Sequence, residues 1–203
     1  MSKRNRFTFF FLFAFVIITT LLVSVSLGKY AKEEENTGIV LTVKEPTYTL
    51  KKGDSLYNSF KSATTVTFGN IRDYRNVINA ADVASTKKHI GATEKDLVYL
   101  YNSGTDYYVL SYGNIRMNPS AIYMFYGCSN LKTISNFESV DMSEVTDISN
   151  MFNGCSSLTS ITFGDTEKLS GMSAVFQNCK ALKTVDLSRV NAQNVTSTYC
   201  MFF

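Results

Sequence analysis

MFNGCSSLTSI, residues 151–161, combines a Met-Phe pair, a glycine, a cysteine and two spaced aliphatic residues in one short segment. Nearly the same order recurs as MFYGCSNLKTI at 124–134 and VFQNCKALKTV at 175–185, and another Met-Phe pair follows at 201–202. The origins of these four copies are 27, 24 and 26 residues apart. Self-similarity at this period indicates stacked structural units whose length changes are confined to one connection.

The segment before each Met-Phe pair has helical spacing. In DMSEVTDISNMFNGC (141–155), Asp141 and Glu144 match a capping box, and the apolar residues that follow recur on one helical face. This spacing predicts short helices that end near residues 126, 152 and 177. Each helix would stop at a residue type that accepts the left-handed conformation, followed by a small buried cysteine. These structural repeat positions are Gly127, Cys128, Gly154, Cys155, Asn178 and Cys179.

A strand follows each of these cysteines. The motifs LKTI, LTSI and LKTV predict parallel strands near 131–135, 158–163 and 182–187. Their outward positions would form a polar, hydroxyl-rich strip that could contact a protein or a glycan, although exposed Thr and Ser are also simply good strand residues. The candidate ligand-contact residues are Thr133, Thr159, Ser160, Thr162, Thr184 and Asp186.

The motifs MFNGCSSLTSI and VDMSEVTDISNMF resemble the BspA-like bacterial surface proteins, whose leucine-rich repeats have a period of roughly 26 residues. The resemblance covers about residues 61–203. It implies an exported cell-surface protein whose usual role is adhesion to host or neighbouring-cell surfaces. The chain departs from the family pattern because its second repeat lacks the V-D-x-S part of the connection, it has no C-terminal wall-anchoring motif, and it has about three units.

The expected fold class is therefore α/β, a leucine-rich-repeat solenoid of about three strand-helix repeats. It would occupy residues 117–203, after a small α+β cap region at 61–116. In the cap region, we expect a strand at 63–69, a short amphipathic helix starting near residue 71, and an aromatic-rich hairpin at 97–113. Residues 29–60 would form a tether with a strand at 38–43.

The N-terminus has the three parts of an export signal. Basic residues at positions 3, 4 and 6 precede an apolar run from Phe7 to about Val23, and small residues follow at a plausible cleavage site. Residues 1–28 are thus predicted to be a signal peptide or, if uncleaved, a membrane anchor helix. Either alternative predicts that the rest of the chain folds outside the membrane, in an extracellular or cell-surface location.

The four cysteines leave two interpretations open. Cys128, Cys155 and Cys179 share one repeat position, so in adjacent units their Cα atoms would lie about 5 Å apart, within disulfide distance. Their parallel Cβ directions favour a ladder of reduced, buried thiols instead. Cys200 lies outside this ladder and is the first candidate for pairing or reaction. A metal site is not expected, because the chain has no C-x-x-C motif and a single histidine, His89.

Composition and motifs exclude several functions. The net charge of +3 and the lack of a basic cluster beyond the extreme N-terminus argue against nucleic-acid binding. The chain has no G-x-S-x-G, no H-E-x-x-H and no phosphate-binding glycine loop, so neither an enzyme nor a cofactor is expected. Two classes stay open: an adhesion module that binds a protein or a glycan, and a passive structural element of the envelope or matrix.

The end of the sequence, TYCMFF at 198–203, begins another repeat. The last unit would leave Leu182, Val185 and Leu187 open on one side, together with the final aromatic residues. We therefore expect either a longer surface protein or self-association through this open C-terminal edge.

Overall fold

The computed structural model describes residues 44–84 and 86–203. The predicted signal or anchor at 1–28 and the predicted strand at 38–43 lie outside the described residues. Residues 45–203 form one compact unit. Among the described residues, the structure contains no helix with the length and apolar character needed to cross a membrane.

Short strands and turns make up most of this unit, with 28% of the structure in strands and 8% in helices. The strands are β1 (Thr47–Thr49), β2 (Thr65–Asn70), β3 (Lys88–His89), β4 (Val98–Ser103), β5 (Asp106–Ser111), β6 (Asn114–Arg116), β7 (Thr133–Ser135), β8 (Ser160–Thr162) and β9 (Thr184–Asp186). The helices are α1 (Gly53–Leu56), α2 (Arg75–Ile78) and α3 (Ala81–Ala84), and a 3₁₀ helix spans Phe137–Ser139.

The largest sheet is mixed and has the strand order β3-β4-β5-β2-β7. Its antiparallel β4–β5 hairpin confirms the prediction for 97–113, and Gly104 supplies the positive φ of 57° at the turn. Strand β2 pairs in parallel with both β5 and β7. Two further parallel pairs, β1–β6 and β8–β9, form separate two-stranded sheets.

The predicted fold class, an α/β leucine-rich-repeat solenoid of strand-helix units, is wrong. The largest sheet is mixed, strand exceeds helix in the structure by 28% to 8%, and residues 117–203 contain no α-helix among the residues described. The residue before each expected Met-Phe pair explains why, because Tyr123, Asn150, Ala174 and Cys200 all have positive φ values between 52° and 59°. A left-handed residue interrupts a right-handed helix, so the apolar residues with helical spacing form a series of turns.

Hydrogen bonds between repeat segments replace those of a helix. The backbone N–H of Phe125 donates to the carbonyl of Met151 at 2.9 Å, and the N–H of Phe152 donates to Val175 at 3.0 Å. The expected capping box does not form either. Asp141 Oδ1 accepts the backbone N–H of Ser143, and Glu144 forms an ion pair with Lys168. The backbone N–H groups therefore find their carbonyl acceptors in the neighbouring segment, about one repeat period away in sequence.

Other local predictions have mixed outcomes. The left-handed conformation is confirmed, since Gly127, Gly154 and Asn178 have φ values of 65°, 79° and 60°. Strands β7, β8 and β9 lie within their predicted ranges, and β8 and β9 pair in parallel. However, β7 pairs with β2 rather than with β8, and the single helix predicted from residue 71 is instead the two short helices α2 and α3.

A column of phenylalanine rings forms the centre of the repeat region. Phe152 stacks on Phe125 at 5.3 Å between centroids and on Phe176 at 5.7 Å, with interplanar angles of 5° and 3°. Phe202 continues the column at 5.4 Å from Phe176. Phe125, Phe152 and Phe176 are buried, so the column contributes both apolar burial and ring contacts.

Candidate ligand-contact surface

Four of the predicted contact residues lie together on the β8–β9 pair. Ser160 is opposite Thr184 and Thr162 is opposite Asp186 in the parallel register. Ser160 and Thr184 are exposed, and Thr162 and Asp186 are half-buried, while Ile161 on β8 faces the core. Because successive side chains of a strand point to opposite faces, these polar side chains lie on the outer face of the β8–β9 pair.

Thr159 and Thr133 lie outside the β8–β9 pair. Thr159 precedes β8, and both its N–H and its hydroxyl donate to the carbonyl of Lys132 at 3.2 and 3.3 Å. Thr133 is exposed at the start of β7, which belongs to the large mixed sheet. The bonds from Thr159 to Lys132 link the residues that immediately precede β8 and β7, so these two strands begin close together although they belong to different sheets.

The large sheet extends this surface with residues outside the predicted contact set. Thr65 and Thr67 on β2 pair with Thr133 and Ser135 on β7. Along β2, Thr65 and Thr67 face outward and alternate with the core residues Val66 and Phe68, which are fully buried. We use the name hydroxyl strip for the resulting set of Thr65, Thr67, Thr133, Thr159, Ser160, Thr162, Thr184 and Asp186.

Tyrosines cover the outer face of the large sheet beside the hydroxyl strip. Tyr108 on β5 pairs with Thr67 on β2, and its ring lies 5.8 Å from that of Tyr74. Gly69 makes room for the Tyr74 ring at this contact, because a Cβ at position 69 would lie 2.6 Å from that ring. The strip is thus bounded by half-buried aromatic rings on its β5 side.

Charged groups border the hydroxyl strip at the ends of its strands. Lys132 and Lys183 are exposed immediately before β7 and β9. After the strands, Arg189 forms an ion pair with Asp165 and donates from Nη1 to the carbonyl of Glu138 at 3.2 Å. These contacts hold together the three loops that follow β7, β8 and β9.

Hydrogen bonding keeps the carboxylates at this end ionised. The hydroxyl and the backbone N–H of Ser188 donate to Asp186 and hold its pKa below the usual range, with the N–H at 2.9 Å. The hydrogen bond from Arg189 likewise lowers the pKa of Asp165. The strip therefore has exposed lysines before β7 and β9, and a mixed group of Asp165, Asp186 and Arg189 after its strands.

The three ladder cysteines are free thiols in the structure. The Sγ of Cys155 donates to the carbonyl of Phe125 at 3.1 Å, and the Sγ of Cys179 donates to Phe152 at the same distance. Burial raises the pKa of Cys128 and of Cys179 to about 11, and it also raises the pKa of Cys155. The thiols of Cys155 and Cys179 therefore link adjacent repeat segments.

Groups suited to metal binding or catalysis do not coincide with the strip. In the part of the chain that the structure describes, no group of three or more His, Cys, Asp or Glu side chains could hold a metal ion. The Nε2 of His89 lies 2.7 Å from the carbonyl of Asp96 in the large sheet. Its position is set by this contact and by the neighbouring Tyr99 ring at 5.6 Å.

One comparison with known proteins gives a match. Residues 120–203 are similar to the family described as Mycoplasma protein of unknown function, DUF285. No curated protein and no solved structure matches the chain. The matched region contains the repeat segments together with strands β7, β8 and β9, and therefore most of the hydroxyl strip.

Proposed function

We propose that this chain is an exported surface protein that binds a protein or a glycan of a host or neighbouring cell through the hydroxyl strip. The observation that carries this proposal is the exposure of hydroxyl side chains on the outer faces of β7, β8 and β9. Their inner faces pack on the buried core, so the strip is fixed by the fold. A fixed array of donors and acceptors loses little conformational entropy when a polar ligand binds.

Two sequence features support the surface location. The N-terminal residues have the pattern of an export signal, and the repeat motifs resemble those of BspA-like surface proteins. The family that matches residues 120–203 is described as a Mycoplasma protein, which agrees with a bacterial source. Ser and Thr hydroxyls in the strip suit hydrogen bonding to a ligand rather than chemistry on it, so the proposed role is binding and not catalysis.

A passive structural role in the envelope or matrix is the second candidate. This candidate is favoured because some hydroxyl groups of the strip already form hydrogen bonds within the chain. Thr65 Oγ1 donates to Asp106 Oδ1 at 2.7 Å, and Thr159 Oγ1 donates to Lys132. In that case, the threonines would serve only as good strand residues.

A binding screen with paired variants separates the two candidates. The full chain would be tested against immobilised host matrix proteins and bacterial glycans. Ser160→Glu combined with Thr184→Glu adds two like charges at opposed strip positions, and we expect at least about a tenfold loss of affinity for the bound target. The matched control is Ser129→Glu with Asn130→Glu, which adds the same charge at exposed positions outside the strip.

The expected result is one class of target that binds the native chain and the control but not the strip variant. Unchanged binding by the strip variant would place the contact elsewhere. Binding to none of the targets would favour the passive structural role.

A further inference from the structure

The end of the hydroxyl strip on strand β2 lies beside a carboxylate and an aromatic ring of strand β5. In the parallel register, Thr65 pairs with Asp106 and Thr67 pairs with Tyr108. Paired residues share one face of a sheet, and so do residues two apart along a strand. The four side chains therefore lie together on the outer face, about 4.8 Å apart between the strands and about 6.7 Å apart along them. We use the name β2–β5 patch for these four residues.

Hydrogen bonding leaves two acceptors of the β2–β5 patch side by side. Thr65 Oγ1 donates to Asp106 Oδ1 at 2.7 Å, so the threonine has already used its one hydroxyl proton and can only accept. Within the described part of the chain, Asp106 Oδ2 accepts no hydrogen bond, and the carboxylate forms no ion pair. A ligand at this patch therefore meets the Thr65 oxygen and a free carboxylate oxygen as neighbouring acceptors.

The aromatic side of the β2–β5 patch is held in place by the fold. The Tyr108 ring lies 5.8 Å from the Tyr74 ring with an interplanar angle of 51°, and both side chains are half-buried. Both rings pack against a separate apolar cluster that includes the buried residues Ile71 and Leu110. The accessible part of Tyr108 is therefore a fixed aromatic surface that loses little conformational freedom when a ligand binds.

Neighbouring acceptors beside an aromatic surface suit a neutral sugar better than a peptide or an acidic ligand. A pyranose ring has adjacent hydroxyl groups that donate hydrogen bonds, and its C–H groups pack against the electron-rich face of an aromatic ring. An extended peptide presents N–H donors toward one side only at every second residue, about 6.7 Å apart. A sialic acid, a sulfate or a phosphate would bring a second negative charge to the unpaired Asp106 carboxylate.

We propose that the β2–β5 patch binds one neutral sugar residue of a cell-surface glycan. Two adjacent sugar hydroxyls donate to Asp106 Oδ2 and Thr65 Oγ1, and the C–H face of the same sugar packs on the Tyr108 ring. This inference rests on the proposed function, because it takes the hydroxyl strip to be the contact surface. It narrows the ligand from a protein or a glycan to a neutral glycan, whose further sugars extend along the strip toward β7.

Glycan binding by matched aspartate variants tests the proposed hydrogen bonds. The full 203-residue chain, in a mild detergent without a sugar headgroup, would be applied to an array of neutral, sialylated and sulfated glycans. We expect binding to neutral glycans. Asp106→Asn keeps the size of the side chain but removes the charged acceptor, so it should weaken that binding by about tenfold. The control Asp54→Asn changes an exposed aspartate of α1 in the same way and should leave binding unchanged.

A second pair of variants tests the contact between the sugar and the aromatic ring. Tyr108→Phe keeps the ring and should retain the affinity of the native chain within about twofold. Tyr108→Leu keeps an apolar side chain without a ring and should lower the affinity by about three- to tenfold. Circular dichroism melts of both variants check that the fold is intact, and equal affinities of the two variants would contradict the ring contact.

The results distinguish this inference from the proposed function. Glycan binding that Ser160→Glu with Thr184→Glu abolishes, but that Asp106→Asn and Tyr108→Leu leave unchanged, would support the strip and overturn the sugar site. Binding to protein targets alone, or tighter binding to sialylated or sulfated glycans than to neutral ones, would also overturn the sugar site and leave the proposed function standing. Binding to no target of either kind would overturn both.

Discussion

At the scale of single residues, one repeat position requires a left-handed backbone. Gly154 has φ 79°, and a Cβ there would lie 3.2 Å from the Cα of Gly127 in the preceding segment. The glycine therefore serves two purposes: it adopts the turn, and it allows two segments to approach closely. Asn178 takes the same conformation with φ 60° in the following repeat segment.

Replacing Gly154 with Val should lower the free energy of unfolding by roughly 1 to 3 kcal/mol, because a β-branched residue is forced into the left-handed region. Gly104→Val is the matched control. Gly104 also has positive φ, but nothing lies within 4 Å of its Cβ position, so this variant measures backbone strain alone. Urea unfolding should show the larger loss for Gly154→Val, and a neutral effect there would contradict the tight approach to Gly127.

The buried thiols should differ from the accessible ones in reactivity. Cys128 and Cys155 are fully buried and not bonded to each other, so a thiol reagent should label them slowly in the native chain. Under denaturing, non-reducing conditions, both of them and Cys179 should react fully. Mass spectrometry of the labelled chain checks this, and a peptide containing two linked ladder cysteines would disprove the free-thiol ladder.

These thiols also predict a loss of stability at high pH. Burial raises the pKa of Cys128 from 9.0 to about 11, so above pH 9.0 the unfolded chain releases a proton that the folded chain still holds. The free energy of unfolding should therefore be constant with respect to this group below that pH and should fall as the pH rises toward 11. Burial also raises the pKa of Tyr101 and Tyr108, which adds a decline of the same sign.

Cys128→Ala isolates the contribution of that thiol, since the tyrosines are unchanged in it. Denaturant melts between pH 8 and 11 should show a shallower decline for this variant than for the native chain. Equal slopes would mean that the Cys128 thiol is not protected in the folded state.

At the scale of elements, stacked phenylalanines take the place of the expected helices. Phe152 is fully buried and contacts the rings of Phe125, Phe163 and Phe176. A ring at this position bridges two junctions between repeat segments. Its removal should therefore affect both junctions at once.

Phe152→Ala should lower the free energy of unfolding by about 3 to 5 kcal/mol, the usual cost of emptying a buried phenylalanine site. The control Tyr112→Ala removes a ring that is 43% exposed and should cost no more than about 1 kcal/mol. Both values can be obtained from urea melts. Similar small costs for the two variants would show that the column does not stabilise the repeat region.

The sequence was sufficient to predict some elements of the structure but not others. The three repeat strands, the left-handed positions and the exposed hydroxyls follow from local patterns that the structure retains. Helical spacing gave a wrong prediction because Met151 and Phe152 come just after Asn150, whose positive φ of 57° turns the same apolar residues inward without a helix. Asn can adopt this conformation but does not require it, so the spacing alone could not exclude a helix.

Long-range pairing was the second source of error. Strand β7 pairs with β2 across 68 residues, from Thr65 to Thr133, and no repeat period relates these two strands. Thr65 and Thr67 were consequently absent from the predicted contact strip. The alternation of TTVTF at 64–68 does indicate which of its residues face outward, but it does not indicate which strand lies beside them.

At the scale of the molecule, the hydroxyl strip carries the proposed function. It runs over the outer faces of β2, β7, β8 and β9 and so crosses two sheets.

The hydroxyl strip depends on one claim, namely that residues one repeat period apart are backbone neighbours. Amide hydrogen exchange with residue resolution measures this directly. The amides of Phe152 and Gly154, which donate to Val175 and Gln177 at 3.0 and 2.8 Å, should exchange at least about a hundredfold more slowly than those of Ser129 and Asn130. The latter two donate no hydrogen bond within the described residues. Equal exchange at the four amides would contradict the claim.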